Sequence, residues 1–367
     1  MRSAWLRIAA TAVGLVSFPA VSGAGGLRQL RFSPDGRYVL AQDQSRVTVL
    51  TVRPLAVLFG VPAESATLAE FTPDSQQVVF VSSVPHADSR KLAVVSTVAH
   101  VERWSVAGHS RIAFTEMALE ACESEGLSPD GQALACVDFH GTLRIIDVAS
   151  GKTIFEKKKF GIQFVDYGVP TYEGGSGLNE LSGDPGLARI DFSSDGHFLI
   201  ATPLDAPNDV LAFDLNQKTV LKLQGDLTRL NTAEDFTFLG ADRLLVGRVV
   251  LTFPSGQVVF RPPVMPDGEL FRAADPRFVL IFPWGPWRHY SMVAKLRSSA
   301  VRPVVEYTPL ADPGMGALEL ETGQAILTKN PPLDVYGNYY VAERTDGELG
   351  LYERGKGLQA AVKIDGR

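Results

Sequence analysis

One short segment recurs along the chain and constrains its fold more than any other feature. Leu30-Arg31-Phe32-Ser33-Pro34-Asp35-Gly36-Arg37-Tyr38-Val39-Leu40 returns as Ala69-Glu70-Phe71-Thr72-Pro73-Asp74-Ser75-Gln76-Gln77-Val78-Val79. It returns again as Glu125-Gly126-Leu127-Ser128-Pro129-Asp130-Gly131-Gln132-Ala133-Leu134-Ala135 and as Ile190-Asp191-Phe192-Ser193-Ser194-Asp195-Gly196-His197-Phe198-Leu199-Ile200. Each copy reads as a strand entering a tight turn. Proline presets φ, aspartate bonds back onto the backbone, and glycine takes the positive φ before an apolar strand leaves. Weaker copies stand at Phe238-Leu239-Gly240-Ala241-Asp242-Arg243, Arg272-Ala273-Ala274-Asp275-Pro276-Arg277 and Val335-Tyr336-Gly337-Asn338-Tyr339. Together they leave about 49 residues for each of seven units.

A second alternating strand follows each turn, and then a strand that ends in an acidic residue and a small polar turn. Thr142-Leu143-Arg144-Ile145-Ile146-Asp147-Val148-Ala149-Ser150-Gly151-Lys152 displays this best, leading into Thr153-Ile154-Phe155-Glu156. Val210 to Lys218 and Ala317 to Gln324 match it. Four short strands per unit of about 40 to 50 residues is the arithmetic of a β-propeller blade. The expected fold is all-β, a single propeller over residues 25–367 with seven blades of four antiparallel strands.

The Phe-Ser-Pro-Asp-Gly turn and the Asp-Val-Ala-Ser-Gly-Lys turn resemble those of the WD40 and YVTN class of propeller repeats, in a divergent, bacterial-type form. Ile146-Asp147 and Phe213-Asp214 replace the Trp-Asp dipeptide. A six-bladed arrangement similar to the TolB repeats would need about 57 residues per blade and would discard one weak copy. The chain begins with an innermost strand (27–32) and ends with an outermost one (358–364), so each blade is expected to be continuous in sequence, without strand exchange at the closure.

Residues 1–24 read as a cleaved export signal. Arg2 and Arg7 precede an apolar stretch from Ile8 to Phe18, then Pro19 and the small residues Ser22-Gly23-Ala24. As a helix that stretch would span about 16 Å against a hydrocarbon core of about 30 Å, which argues against a membrane anchor. The mature protein is expected in the periplasm or the medium, without stable insertion in a membrane. An oxidising compartment permits a disulfide between the only two cysteines, Cys122 and Cys136, which flank the Ser128-Pro129-Asp130-Gly131 turn. Their equal parity suggests one sheet face and a diagonal pairing; two buried thiols are the alternative.

With 45% hydrophobic and 21% charged residues the chain can build a core, and its 34 glycines and 23 prolines show no Gly-X-Y period. A net charge of −6 without a basic stripe speaks against nucleic acid as a partner. Gly174-Gly175-Ser176-Gly177 fails as a nucleophile elbow or phosphate loop, because Leu178 follows and no Gly-Lys-Ser/Thr appears. The six histidines never pair at metal spacing, so neither a metal nor a cofactor is predicted. Lys157-Lys158-Lys159 suits an outer strand edge, where lysines discourage edge pairing. No room is left for the α/β-hydrolase domain of propeller-lidded peptidases.

Insertions lie between second and third strands, at 84–90, 202–208 and 283–314, and between blades, at 107–121 and 161–187. Propeller connectivity gathers all of these on the end opposite the Ser-Pro-Asp-Gly turns, and a rigid scaffold carrying variable loops on one face is a binding arrangement. The longest insertion opens with Trp284, Trp287, Arg288 and His289, residue types that concentrate binding energy. A plug between blades is the bland alternative. The expected function is a non-catalytic exported module that binds a protein or a small ligand. The runner-up is a single-domain enzyme of lactonase-like or quinoprotein-like type with its site at the central channel.

Overall fold

The computed structural model describes residues 29–364, apart from 44, 64–65, 88–93, 120–121, 139–140, 161–187, 204–209, 230–235, 264–268, 283–315, 327–331 and 345–347. Seven four-stranded antiparallel sheets follow one another along the chain and form a seven-bladed β-propeller. Blades 1 to 7 occupy 29–62, 66–119, 122–157, 188–221, 236–260, 269–326 and 334–362. Strand order in every blade is the order in sequence, so no blade borrows a strand from another. The innermost strand of blade 7 (Asp334–Tyr336) touches the innermost strand of blade 1 (Gln29–Phe32), and the outermost strand of blade 7 (Gly357–Val362) touches that of blade 1 (Leu55–Pro62).

The recurring turn works as its residue types imply. In blade 1 the Ser33 hydroxyl donates to Asp35 Oδ1 at 2.7 Å, which also accepts the Arg37 backbone N–H, while Ser33 Oγ accepts the N–H of Tyr38. Thr72 and Asp74, Ser128 and Asp130, and Ser193 and Asp195 repeat this network. Gly36, Gly131 and Gly196 sit at φ +70, +68 and +78°, and Ser75 takes the same left-handed place in blade 2 at +60°.

Packing follows the period of two along each strand, which sends alternate side chains to opposite faces. Seven apolar clusters result, each between one blade and the next. Closure is of the same kind. Leu30, Phe32, Val39, Ala41, Leu50 and Val52 of blade 1 meet Val341, Leu349 and Leu351 of blade 7, with Ile364 2% exposed among them. Five of the seven outermost strands carry a β-bulge against their neighbour, in blades 1, 2, 3, 5 and 7. Bulges twist a free edge away from further pairing, which keeps a ring of exposed edges from sticking to other chains.

Three expectations need correction. Residues 107–121 are not an inter-blade insertion, because Ser110–Leu119 forms the outermost strand of blade 2. The strand pairs through its backbone with Val94–Ser105 while Met117 alone among its described side chains is well buried, so its sequence carries little alternation. The second strand of blade 2 runs on through Gln77–Ala87, into the stretch expected to be loop from 84 onward. Equal parity, thirdly, is the wrong reason for a bridge between Cys122 and Cys136. The six-residue turn pairs Cys136 with Glu125, so an unbroken ladder would send Cys122 to the other face. An extra residue, Glu123, shifts the register, sets Cys122 opposite Asp138, and returns it to the face of Cys136. The two sulfurs are bonded, with Cα atoms 5.5 Å apart.

Candidate functional site: the channel and the seam between blades 7 and 1

Charged groups on the innermost strands are tied across blade boundaries. Glu70 of blade 2 stands between Arg31 of blade 1, at 3.6 Å, and Arg272 of blade 6, at 3.8 Å. Arg272 also donates to the Phe192 carbonyl in blade 4 at 3.0 Å, and Arg189 of blade 4 donates to the Leu270 carbonyl in blade 6. Because blades 2, 4 and 6 are not neighbours, these bonds brace the channel across its width. Asp191 of blade 4 accepts the Phe238 N–H and the Thr237 hydroxyl of blade 5.

Asp334, fully buried, performs the same task at the seam. Its Oδ2 accepts the Phe32 N–H of blade 1 at 2.7 Å, and its Oδ1 accepts the N–H groups of Ala274 in blade 6 and of Val335. Burial pushes its pKa up to about 6, against the opposing pull of Arg31 and the three N–H donors. Glu125 carries both carboxylate oxygens buried, with Thr67 of blade 2 as the hydroxyl that acts on its charge. Burial raises its pKa, and Thr67 only opposes the rise.

A cavity of about 710 Å³ opens at the seam on the end that carries the Ser-Pro-Asp-Gly turns. Its origin is a difference in turn length. Phe32 pairs with Val39, leaving six residues in the first turn of blade 1, whereas Tyr336 pairs with Tyr339, leaving only Gly337 and Asn338 in blade 7. Blade 7 therefore fails to fill the space beside the turn of blade 1. The Tyr336 ring lies against Gly36, so closely that a Cβ there would collide with it, and Gly337 faces open space. The Arg53 guanidinium carbon lies over the Tyr339 ring, 4.3 Å from its centre, and Arg37 pairs with Asp35. Burial works against the Asp35 charge, but bonds from Ser33 and Arg37 hold its pKa below the ordinary range.

Trp284, Trp287, Arg288 and His289 lie outside the described residues. Among the described residues no cluster of three or more His, Cys, Asp or Glu side chains has metal-holding geometry. The seam cavity escaped the sequence reading, yet its signal was there: the weak seventh copy lacks the Pro-Asp-Gly stretch altogether. No protein-family model matches this chain, and no curated protein matches its sequence.

Proposed function

We propose that this chain is a divergent, exported propeller of WD40-like or YVTN-like type that binds a protein or a small ligand without catalysing a reaction on it. The observation that carries this reading is the engagement of three channel carboxylates. Glu70 answers two arginines, and Asp191 and Asp334 accept backbone N–H groups from neighbouring blades. Those groups hold blades together and are not left over as an acid and base facing a substrate. Trp284, Trp287, Arg288 and His289 are the proposed partner-contact residues, on the loop face opposite the turns. The acidic balance favours partners other than nucleic acid.

The test compares the mature protein with a Trp284→Ala, Trp287→Ala variant. The account expects one defined partner, captured from an extract of the same compartment at fixed stoichiometry, to be lost in the variant at unchanged melting temperature. Unfolding of the variant would instead make the loop part of the core, at on the order of 3 to 5 kcal/mol per buried aromatic. Glu125 favours the enzyme reading, because a buried carboxyl with a raised pKa suits a general acid. Lactone hydrolysis or quinone-dependent dehydrogenation by the wild type, lost in Glu125→Gln, would replace the binding account.

A further inference from the structure

The geometry points to the seam cavity as a binding site for a ring-bearing carboxylate, on the opposite end of the disc from the loop face proposed above. Three features specify the ligand. The walls are aromatic and held in place: Tyr336 rests on Gly36, and Tyr339 is covered by Arg53. Fixed rings of this kind take a flat partner at little entropic cost. The volume of about 710 Å³ lies within the range of about 300 to 1,000 Å³ that holds small ligands.

Charge decides the rest. The cavity is lined by two arginines, Arg37 and Arg53, and one acid, Asp35. Asp35 is taken up by Ser33 and by the backbone and side chain of Arg37. Arg53 is exposed and forms no ion pair with a carboxylate among the described residues. A guanidinium held over a ring still carries N–H groups that fit a carboxylate with two parallel bonds. Asn338, exposed at the rim, adds an amide that can donate to the same group. The open space at Gly337 lets a ligand approach the backbone of the turn.

Two sources share this chemistry, a free aryl carboxylate and a peptide that carries a tyrosine beside an acidic residue. The experiment titrates the mature protein by ligand-observed NMR and calorimetry with 4-hydroxyphenylacetate, its neutral amide 4-hydroxyphenylacetamide, and the peptide acetyl-Ala-Tyr-Asp-Ala-amide. The carboxylate or the peptide should bind, the amide at least about tenfold more weakly than the carboxylate, and Arg53→Gln should weaken the binding probe about tenfold or more. The tighter of the two binding probes identifies the source. Arg53 is at the surface, so its replacement should leave the melting temperature in place; Asn338→Ala provides a second variant, expected to weaken binding by a smaller factor. Absence of binding by both probes at millimolar concentration overturns the proposal. So does equal binding of carboxylate and amide, or binding unchanged in Arg53→Gln. None of these results bears on capture by the loop face, so the two readings fail separately.

Discussion

The Asp334 carboxylate accepts the Phe32 backbone N–H at 2.7 Å across the boundary between the last blade and the first. The two residues are 302 positions apart, and the bond does at the seam what an exchanged strand would otherwise do. Asp334→Ala should leave the N–H groups of Phe32 and Ala274 without a partner in a buried place. An orphaned buried donor costs about 1 to 3 kcal/mol, so urea unfolding should show a loss on the order of 3 kcal/mol or more. A loss below about 0.5 kcal/mol would mean that apolar packing alone closes the ring.

The same residue sets a pH dependence. An ordinary Asp titrates at 3.8 in the unfolded chain, but burial raises the Asp334 pKa to about 6 in the fold. Between those values the folded state binds the proton more tightly, so stability rises as pH falls from about 6 to about 4 and is lost again as pH rises through 6. Two pH units correspond to about 3 kcal/mol. Glu125 is shifted in the same direction. Urea midpoints at pH 7 and pH 5 should therefore rise on acidification in the wild type, less in Asp334→Asn, and scarcely at all in Asp334→Asn, Glu125→Gln. Further acidification reverses the trend, because Asp35 and Asp74 have lowered values and their contribution fades as they take protons. A flat profile in the wild type from pH 7 to 5 would contradict the assignment.

Two glycines at the seam separate backbone strain from collision. Gly36 and Gly337 both have positive φ, at +70 and +58°, but a Cβ meets the Tyr336 ring only at Gly36. Gly337→Ala should cost about 1 to 2 kcal/mol from conformation alone. Gly36→Ala should add about 1 to 3 kcal/mol of overpacking and displace the tyrosine toward the cavity. Equal losses by thermal unfolding would show that Tyr336 is not fixed where the structure has it.

Export and the disulfide are tested on one sample. Intact mass of protein from the periplasm or medium should begin near Gly25 or Gly23. Denatured, unreduced protein should show no thiol reactive to labelling, and reduction of the Cys122–Cys136 bond, with a sequence separation of 14, should cost about 3 kcal/mol. Full-length, membrane-retained protein would identify the leader as an anchor.

What the sequence made legible was local chemistry. The four strong turns state their own hydrogen bonds, since Ser33, Asp35 and Gly36 act within five residues of one another. Blades 5, 6 and 7 were fainter because their turns use other devices. In blade 6 Asp275 bonds to Arg277 and, across the blade boundary, to the N–H of Gly337. Asp334 was invisible for the opposite reason: nothing near it in sequence explains a buried acid, and its partners beyond the adjacent Val335 N–H belong to blades 1 and 6. The bulge at Glu123 was equally hidden, since the register of a hairpin is set by its pairing and not by the parity of two cysteines.

Amide hydrogen exchange at Phe32 and Ala274 tests the closure most directly. Both N–H groups end on Asp334, and each stands on or next to an innermost strand beside the channel. The account predicts slow exchange at both amides in the wild type, comparable to the interior of the blades, and fast exchange at both in Asp334→Ala while the rest of each blade stays protected. Fast exchange at Phe32 in the wild type would contradict closure of the propeller by this carboxylate.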